Sequence, residues 1–466
     1  MTIAQVSSKF LAEDLHENTL YTPGARRRLS PAHMERIGIG IAGFGTVGAG
    51  VYKNLEANRA LIAERAGAEF DVRRIVVRDL EKARDVSAPK DLFSTNLGDL
   101  ITDDSVQIVV ELIGGTDVAL DFVRDAIAAG KTIVTGNKAL LAEHGAELFH
   151  LASEARVPIL YEAAVAGGIP IIKAVRESFI GNRFTVMQGI LNGTSNYILT
   201  EMADGTCDFP TVLAEAQRLG YAEADPAFDV NGWDAAHKTL ILAALAYGFW
   251  IKPEEIRVEG IESITAEDNV FAKQLGYAIK LLATIKIDDE DAVEVRVSPT
   301  LIPAGHVLAS VNGVFNAIWM QGDIAGEAMF SGRGAGQDPT SSSVIADLAE
   351  AAAALRSPRA CFGFTPHDLY GKCKPVDDAV SKFYLRLTVE DRPGVLAQIA
   401  SVLGEAGIGI SSVIQPESTE PGPLPLVLMI HDAAYGAMRR AVADIASLPC
   451  VRAEPALLQV DTLDES

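Results

Sequence analysis

The stretch Ile37-Gly38-Ile39-Gly40-Ile41-Ala42, followed at once by Gly43-Phe44-Gly45-Thr46-Val47-Gly48, constrains the fold more than any other part of the chain. A short apolar strand runs into Gly-x-Gly-x-x-Gly, and Val51 to Ala60 continues as a helix. In such a unit the first glycine permits a tight turn and the second lets backbone approach a pyrophosphate. The third lets the helix pack on the strand. The helix N-terminus offers its free N–H groups to phosphate. A second strand, Asp71 to Val77, follows, so the motif has the flanks that a dinucleotide site needs. Residues 37–168 are expected to form a doubly wound α/β (Rossmann-type) domain, with Gly43, Phe44, Gly45, Thr46, Val47 and Gly48 at the NAD(P) cofactor.

At the end of the second strand an acid holds a ribose 2′-hydroxyl, whereas an arginine holds a 2′-phosphate. Here Arg78 precedes Asp79, which favours NADP without excluding NAD; pairing of Arg78 with Asp79 or Glu81 is the alternative. The strand Val106–Ile113 ends in Gly114-Gly115-Thr116, and helix 119–129 follows. The strand Thr132–Thr135 ends in Gly136-Asn137-Lys138. Loops at these strand ends line the cofactor crevice, which puts Thr116 and Lys138 beside it. An ordinary exposed lysine is the other reading of Lys138. Pro158–Glu162 is a further strand, leading into a small-residue loop that opens helix 170–179. Glu162 with loop carbonyls has the oxygen donors hard cations prefer; a carboxylate that starts a helix explains it equally.

Residues 181–330 change to alternating strands separated by helices, a second domain on a mixed sheet. Asn192-Gly193-Thr194-Ser195-Asn196 has the composition of a helix start. The run Gly220 to Lys238 carries Glu223, Asp225 and Asp229 in a loop that Pro226 and Gly232 keep out of helix. From Asp234 the pattern is helical, and Asp234 and Lys238 share one face a turn apart. A surface ion pair, contributing about 0.3–0.5 kcal/mol, is the plain reading. The helix that follows is apolar on nearly every face, which argues for burial and for a site. A second glycine-rich loop, Gly332 to Thr340, precedes helix 341–355, so that 331–360 returns to the first domain. Residues 361–380 are a linker. Residues 381–461 follow the ferredoxin-like order β-α-β-β-α-β, with helices 394–406 and 433–447 and a last strand, Val451–Val460.

Acids outnumber bases by 62 to 40, and a net charge of −22 disfavours nucleic acid and anionic membrane as partners. Cys207, Cys361, Cys373 and Cys450 form no CxxC, so neither a zinc ribbon nor a disulfide framework is expected. So few cysteines fit a reducing, cytoplasmic setting. No run reads as a membrane span or a signal-peptide core. Residues 1–36, with Arg26-Arg27-Arg28, read as a solvated extension.

Gly189-Ile190-Leu191-Asn192-Gly193-Thr194-Ser195-Asn196-Tyr197 and the run Gly220 to Lys238 resemble homoserine dehydrogenase, in the bacterial single-function form with a C-terminal ACT domain. Asp391-Arg392-Pro393-Gly394 and the strand order of the tail resemble that ACT domain. The likeness covers about 37–460. It implies interconversion of L-homoserine and L-aspartate 4-semialdehyde with NAD(P)(H), serving threonine and methionine synthesis. It also implies a cytoplasmic homodimer or homotetramer, with 169–330 as the catalytic and dimerisation domain. By motif, Lys238 resembles the catalytic lysine and Asp234 its partner. Glu223 resembles the homoserine-binding acid, with Asp229 and Tyr221 in the same site. Lys138 resembles the lysine between nicotinamide and substrate, although Gly136 stands where the family often has alanine. Glu162, Val165, Gly167 and Ile169 match a sodium (Na+) site. Gly336 resembles part of a loop closing over the cofactor, although Gln337 and Ser341-Ser342-Ser343 depart from the pattern. The tail implies an amino-acid effector, with threonine as the family-based expectation; an ACT unit used only for assembly is the alternative.

The residues suit this chemistry. Oxidising a primary alcohol requires loss of its hydroxyl proton as hydride leaves, and a lysine whose pKa burial lowers can take that proton. A phosphorylating aldehyde dehydrogenase would need a nucleophilic cysteine with a histidine base. Cys207, in Gly205-Thr206-Cys207-Asp208, lacks that setting. A non-catalytic regulator would bind NADP and an amino acid without homoserine-dependent reduction. A fused kinase is not expected ahead of residue 37.

Overall fold

The computed structural model describes residues 34–356, 363–416 and 422–461. The extension before residue 34 and Cys361 lie outside the described residues. Strands β1 (Glu35–Ala42), β2 (Ala68–Val76), β3 (Phe93–Ser94), β4 (Ile108–Glu111), β5 (Thr132–Thr135) and β6 (Ile159–Leu160) form one parallel sheet in the order β3-β2-β1-β4-β5-β6. The order reverses between β1 and β4, where such sheets open a crevice for a dinucleotide. Ile37, Ile39 and Ile41 are fully buried. Gly43 turns the chain at φ +99. A Cβ on Gly48 would lie 2.1 Å from the Gly43 carbonyl oxygen, so helix 46–57 rides directly on its strand.

The helix returning to this domain spans Gln337–Arg356, four residues longer at its start than the sequence suggests. Pro339 sits in its first turn, where a missing N–H is tolerated. Lys53 pairs with Asp338 at 2.5 Å and Asn54 donates to Ser341 at 2.7 Å. Val344, Leu348 and Ala351 enter the core around Ile37 and Ile39.

The second sheet contains β7 (Phe184–Ile190), β8 (Arg257–Val258), β9 (Tyr277–Ile287), β10 (Ala292–Pro303), β11 (Phe315–Gly322), β12 (Gly326–Arg333), β13 (Lys372–Cys373), β14 (Val380–Glu390), β15 (Ile410–Ile414), β16 (Pro423–Ala434) and β17 (Ala456–Val460). Its order is β12-β11-β7-β9-β10-β17-β14-β16-β15, with β8 and β13 also paired to β10. The segment β17-β14-β16-β15 is the ferredoxin-like tail, with helices Val395–Glu405 and Tyr435–Ala446 over its own core.

The sequence reads that tail as a unit standing by itself, and here the structure differs. β17 pairs in parallel with β10, Thr300 opposite Gln459. The other face of the tail's sheet packs on the second domain, where Arg386 bonds Asp268 at 2.6 and 3.0 Å and the Tyr384 hydroxyl donates to it at 3.0 Å. The last strand is also shorter than expected. Pro455 lacks a ladder donor, so only a single bridge, Val389 to Val451, precedes it.

Two further elements depart from expectation. The loop 220–232 contains a short helix, Ala227–Val230, because Pro226 stands at its N-cap, outside the interior that proline disrupts. The segment 170–179 divides into a turn at Ile171–Lys173 and a wider π-type turn at Ala174–Ser178.

Candidate active site

The centre of the site is a buried polar knot at the start of helix Trp233–Tyr247. Gly232, at φ +89, lets the chain turn sharply into it. Asp234 and Lys238 are only 6% and 8% exposed, so the surface-pair reading does not hold. The Lys238 ammonium donates to Asp234 Oδ2 at 2.6 Å and to the Leu191 carbonyl at 2.6 Å. The other carboxylate oxygen of Asp234 meets the Lys138 ammonium at 3.2 Å, which joins the two halves of the molecule.

Burial opposes ionisation of Asp234, yet Lys238 and Lys138 outweigh it and hold the carboxyl below the usual carboxylate range. Burial lowers the Lys238 pKa, and the nearby charge of Lys138 lowers it further; Asp234 pulls the other way. The outcome is a lysine whose pKa lies below its ordinary value beside an acid that stays charged.

Asn192 connects this pair to the acidic loop, a link between distant segments that the sequence does not reveal. Its Oδ1 accepts the Ser195 N–H at 2.7 Å, capping helix Gly193–Met202. Its amide donates to Asp229 Oδ1 and to Asp234 Oδ2, both at 2.8 Å. Asp229 is thereby placed in the site, its pKa raised by burial and by the charge of Asp234. The Tyr221 ring lies tilted against Tyr197, with centroids 4.9 Å apart, and its carbonyl accepts from Thr194 at 2.7 Å. Glu223 is exposed, and its backbone carbonyl accepts from Gln217 at 3.1 Å. The structure does not bring its carboxylate against Asp229 or Lys238.

A cleft of about 440 Å³ adjoins the knot, lined by Gly45 to Gly48, Leu112, Gly114, Gly115, Gly136 to Ala139 and Phe228. Among the expected cofactor residues, Gly45, Thr46, Val47, Gly48 and Lys138 lie on it. Gly43 provides the turn beneath it. Phe44 does not face it: the ring is buried against Tyr52 and Phe93, with centroids at 6.0 and 5.4 Å. Thr116 stands at the N-cap of helix Asp117–Ala128, just past the lining glycines. Gly336, at φ +124, precedes the returning helix that packs on helix 46–57. Arg78 is exposed beyond the end of β2, and among the described residues it forms no ion pair with Asp79 or Glu81.

Glu111 is a site residue that the sequence reading missed. It is fully buried at the end of β4, accepting from Thr135 Oγ1 at 2.6 Å, the Ile113 N–H at 2.8 Å and the Asn137 amide at 3.4 Å. It fixes both strand-end turns lining the cleft, including the one that carries Lys138. A carboxylate interrupting an apolar strand just before Gly-Gly was the available signal.

Glu162 behaves first as a helix-start carboxylate. Its two oxygens accept the N–H groups of Ile172 and Lys173, each at 2.9 Å. Gly167 gives its carbonyl to Ser343 at 2.5 Å and Ile169 gives its own to Ile171 at 2.8 Å. Val165 is buried between them, and Ala166 holds a strained φ of +51. Each of these oxygens keeps a second lone pair. Buried Asp347 accepts the Glu162 N–H at 2.8 Å, and burial pushes its carboxyl up to about 7. Carbonyl and carboxylate oxygens are the donor type a hard cation takes.

A dinucleotide cleft opening onto a buried lysine–aspartate pair, with a ferredoxin-like tail joined to the second sheet, defines an NAD(P)-dependent oxidoreductase. Residues 170–349 match the homoserine dehydrogenase family model, 43–162 its NAD binding domain and 383–449 the ACT domain. The chain is 42% identical to the homoserine dehydrogenase of Pseudomonas aeruginosa over 441 residues, covering 92% of this chain and 100% of that one. It is 41% identical to that of Synechocystis over 432 residues, covering 91% and 99%. The crystal structure of a homoserine dehydrogenase from Thiobacillus denitrificans superposes with a TM-score of 0.87 at 41% identity, covering 92% of this chain and 99% of that chain. A hyperthermophilic archaeal homoserine dehydrogenase in complex with NADPH is more distant, at a TM-score of 0.57 and 26% identity, covering 68% and 97%. The chain belongs to the homoserine dehydrogenase family, in the form that carries a C-terminal ACT domain.

Proposed function

We propose that the chain oxidises L-homoserine to L-aspartate 4-semialdehyde and catalyses the reverse, with Lys238 as the proton-transfer residue. The observation that supports this most is the buried Lys238 ammonium, hydrogen-bonded to Asp234 and the Leu191 carbonyl and lowered in pKa. When bound, the nicotinamide supplies the hydride acceptor or donor. Lys238 takes the hydroxyl proton in oxidation and returns it in reduction. Asp234 orients Lys238 and Lys138 together. Asp229 attracts the substrate ammonium, Glu223 and Tyr221 join it on the family likeness alone, and Lys138 or the Asn192–Asn196 loop attracts its carboxylate. Asn192 and Glu111 hold these groups in place.

Residues 37–168 and 331–360 form the cofactor half, 169–330 the catalytic and dimerisation half, 361–380 the linker and 381–461 the ACT domain. Glu162, Val165, Gly167 and Ile169 would hold Na+, with Gly336 at the cofactor loop. The subunits assemble as a homodimer or homotetramer in the cytoplasm and serve threonine and methionine synthesis. No helix among the described residues is long and apolar enough to cross a membrane. Threonine is the expected effector. The tail's last strand pairs with β10, so removing the tail would also strip a strand from the catalytic sheet. Substitutions in Asp391-Arg392-Pro393-Gly394 are the cleaner probe.

The test is homoserine-dependent reduction of NADP+ and NAD+, with and without threonine. Turnover is expected with homoserine and is slowed by threonine; cofactor binding without turnover would favour the non-catalytic regulator. Arg78 is assigned to the NADP 2′-phosphate. Arg78→Ala is expected to raise the KM for NADPH by about tenfold or more, as for loss of a charged hydrogen bond, and to leave the KM for NADH nearly unchanged. Equal effects on both would refute the assignment.

A further inference from the structure

We propose that Phe228 is a cofactor-contacting residue, the aromatic wall against which the nicotinamide ring packs, and that it favours the oxidised form. The inference rests on the reading of the cleft as the dinucleotide site. Every other lining residue comes from the strand-end loops and helix starts of the first sheet. Phe228 alone among the lining residues reaches in from the catalytic half, on the short helix Ala227–Val230.

Among the described phenylalanines only Phe315, at 45%, is as exposed as Phe228. Phe184 and Phe271 are 3% and 4% exposed in the core, whereas Phe228 is 43% exposed in a run of acids. An open aromatic ring there forgoes burial that a ligand surface would restore. The ring is nonetheless held. The Lys138 ammonium lies 5.8 Å from its centroid, and His237 meets it edge-on at 5.4 Å. His237 in turn lies against Trp233 at 6.1 Å. On the chain side, the next residue, Asp229, is fixed by Asn192 through its side chain and by Ser195 through its carbonyl, at 2.8 and 2.7 Å.

Position within the cleft identifies which part of the cofactor meets the ring. The glycine turn at Gly45–Gly48 takes the pyrophosphate. Phe228 sits by Lys138, which also touches Asp234 of the proton-transfer pair. Hydride transfer requires the nicotinamide beside that pair. The oxidised ring is a pyridinium cation, which the negative face of an aromatic ring attracts, whereas the reduced dihydropyridine is neutral. Phe228 therefore tilts bound cofactor towards NADP+, the product of aldehyde reduction.

The test is direct titration of the full-length chain with NADP+ and with NADPH, without substrate. Wild type is compared with Phe228→Ala, Phe228→Leu and Phe228→Tyr, and melting curves verify folding. Phe228→Ala is expected to weaken NADP+ binding about tenfold and NADPH binding about threefold or less, within the range of cation–π contacts. Phe228→Tyr stays within about twofold of wild type for both, because the ring face is kept. Phe228→Leu restores apolar contact but not the preference for the oxidised form. Equal losses for both forms, or a leucine variant as selective as wild type, would overturn the proposal. So would unchanged dinucleotide constants with a raised KM for homoserine, which would assign the ring to the substrate. Failure of wild type to bind either dinucleotide would defeat the reading of the cleft as well.

Discussion

Lys238→Ala lowers kcat for homoserine oxidation by about a hundred- to ten-thousand-fold, the usual range for loss of a positioned acid–base group. Dinucleotide affinity, measured by titration, is expected to stay within about twofold, because the cofactor cleft is built from other residues. The size of the loss follows from geometry. The ammonium is held by Asp234 and the Leu191 carbonyl, so the side chain has one position rather than many. Removal leaves no other amine at that point, since Lys138 meets the opposite oxygen of Asp234. Near-normal turnover in the variant would exclude Lys238 as the proton carrier.

Asp234→Ala is expected to act on stability as strongly as on rate. It removes the carboxylate that meets both Lys238 and Lys138, one of them buried, and takes an acceptor from Asn192. Removing one partner of a buried pair costs about 3–5 kcal/mol. At about 2–4 °C per kcal/mol for a domain of this size, the melting temperature falls by roughly ten degrees. Lys238 then has every reason to lose its proton, which limits the penalty and couples it to pH. Asp234→Asn keeps the shape and an acceptor, and is expected to recover part of the stability. An unchanged melting temperature in Asp234→Ala would mean that the pair contributes nothing to the fold.

The local motifs were legible in the sequence because each is complete within a few residues. Gly43 to Gly48 forms its turn from adjacent residues, and Asp234 meets Lys238 across a single helical turn. What the sequence did not reveal lies between distant segments. Asn192 reaches Asp229 and Asp234 only after β7 has brought it beneath helix 233–247. Glu111 meets Asn137 because β4 and β5 are neighbours in the sheet. The same limit applies to the pairing of β10 with β17, which joins strands separated by the whole tail. Phe44 illustrates a different limit: a residue can sit inside a cofactor motif while its side chain serves the core, because the motif constrains backbone rather than side chain. Glu162 shows how a carboxylate at a loop can be satisfied by helix N–H groups before any cation is considered.

The most direct measurement is the pH dependence of kcat/KM for homoserine oxidation in wild type and in Asp234→Asn. Lys238 must be neutral to take the hydroxyl proton, and burial places its pKa below 10.5. Oxidation therefore rises with pH through a midpoint below that value. Asp234 raises the lysine's pKa, so removing its charge moves the midpoint to lower pH. A midpoint that does not move, or a rate with no such limb, would contradict Lys238 as the group that carries the proton.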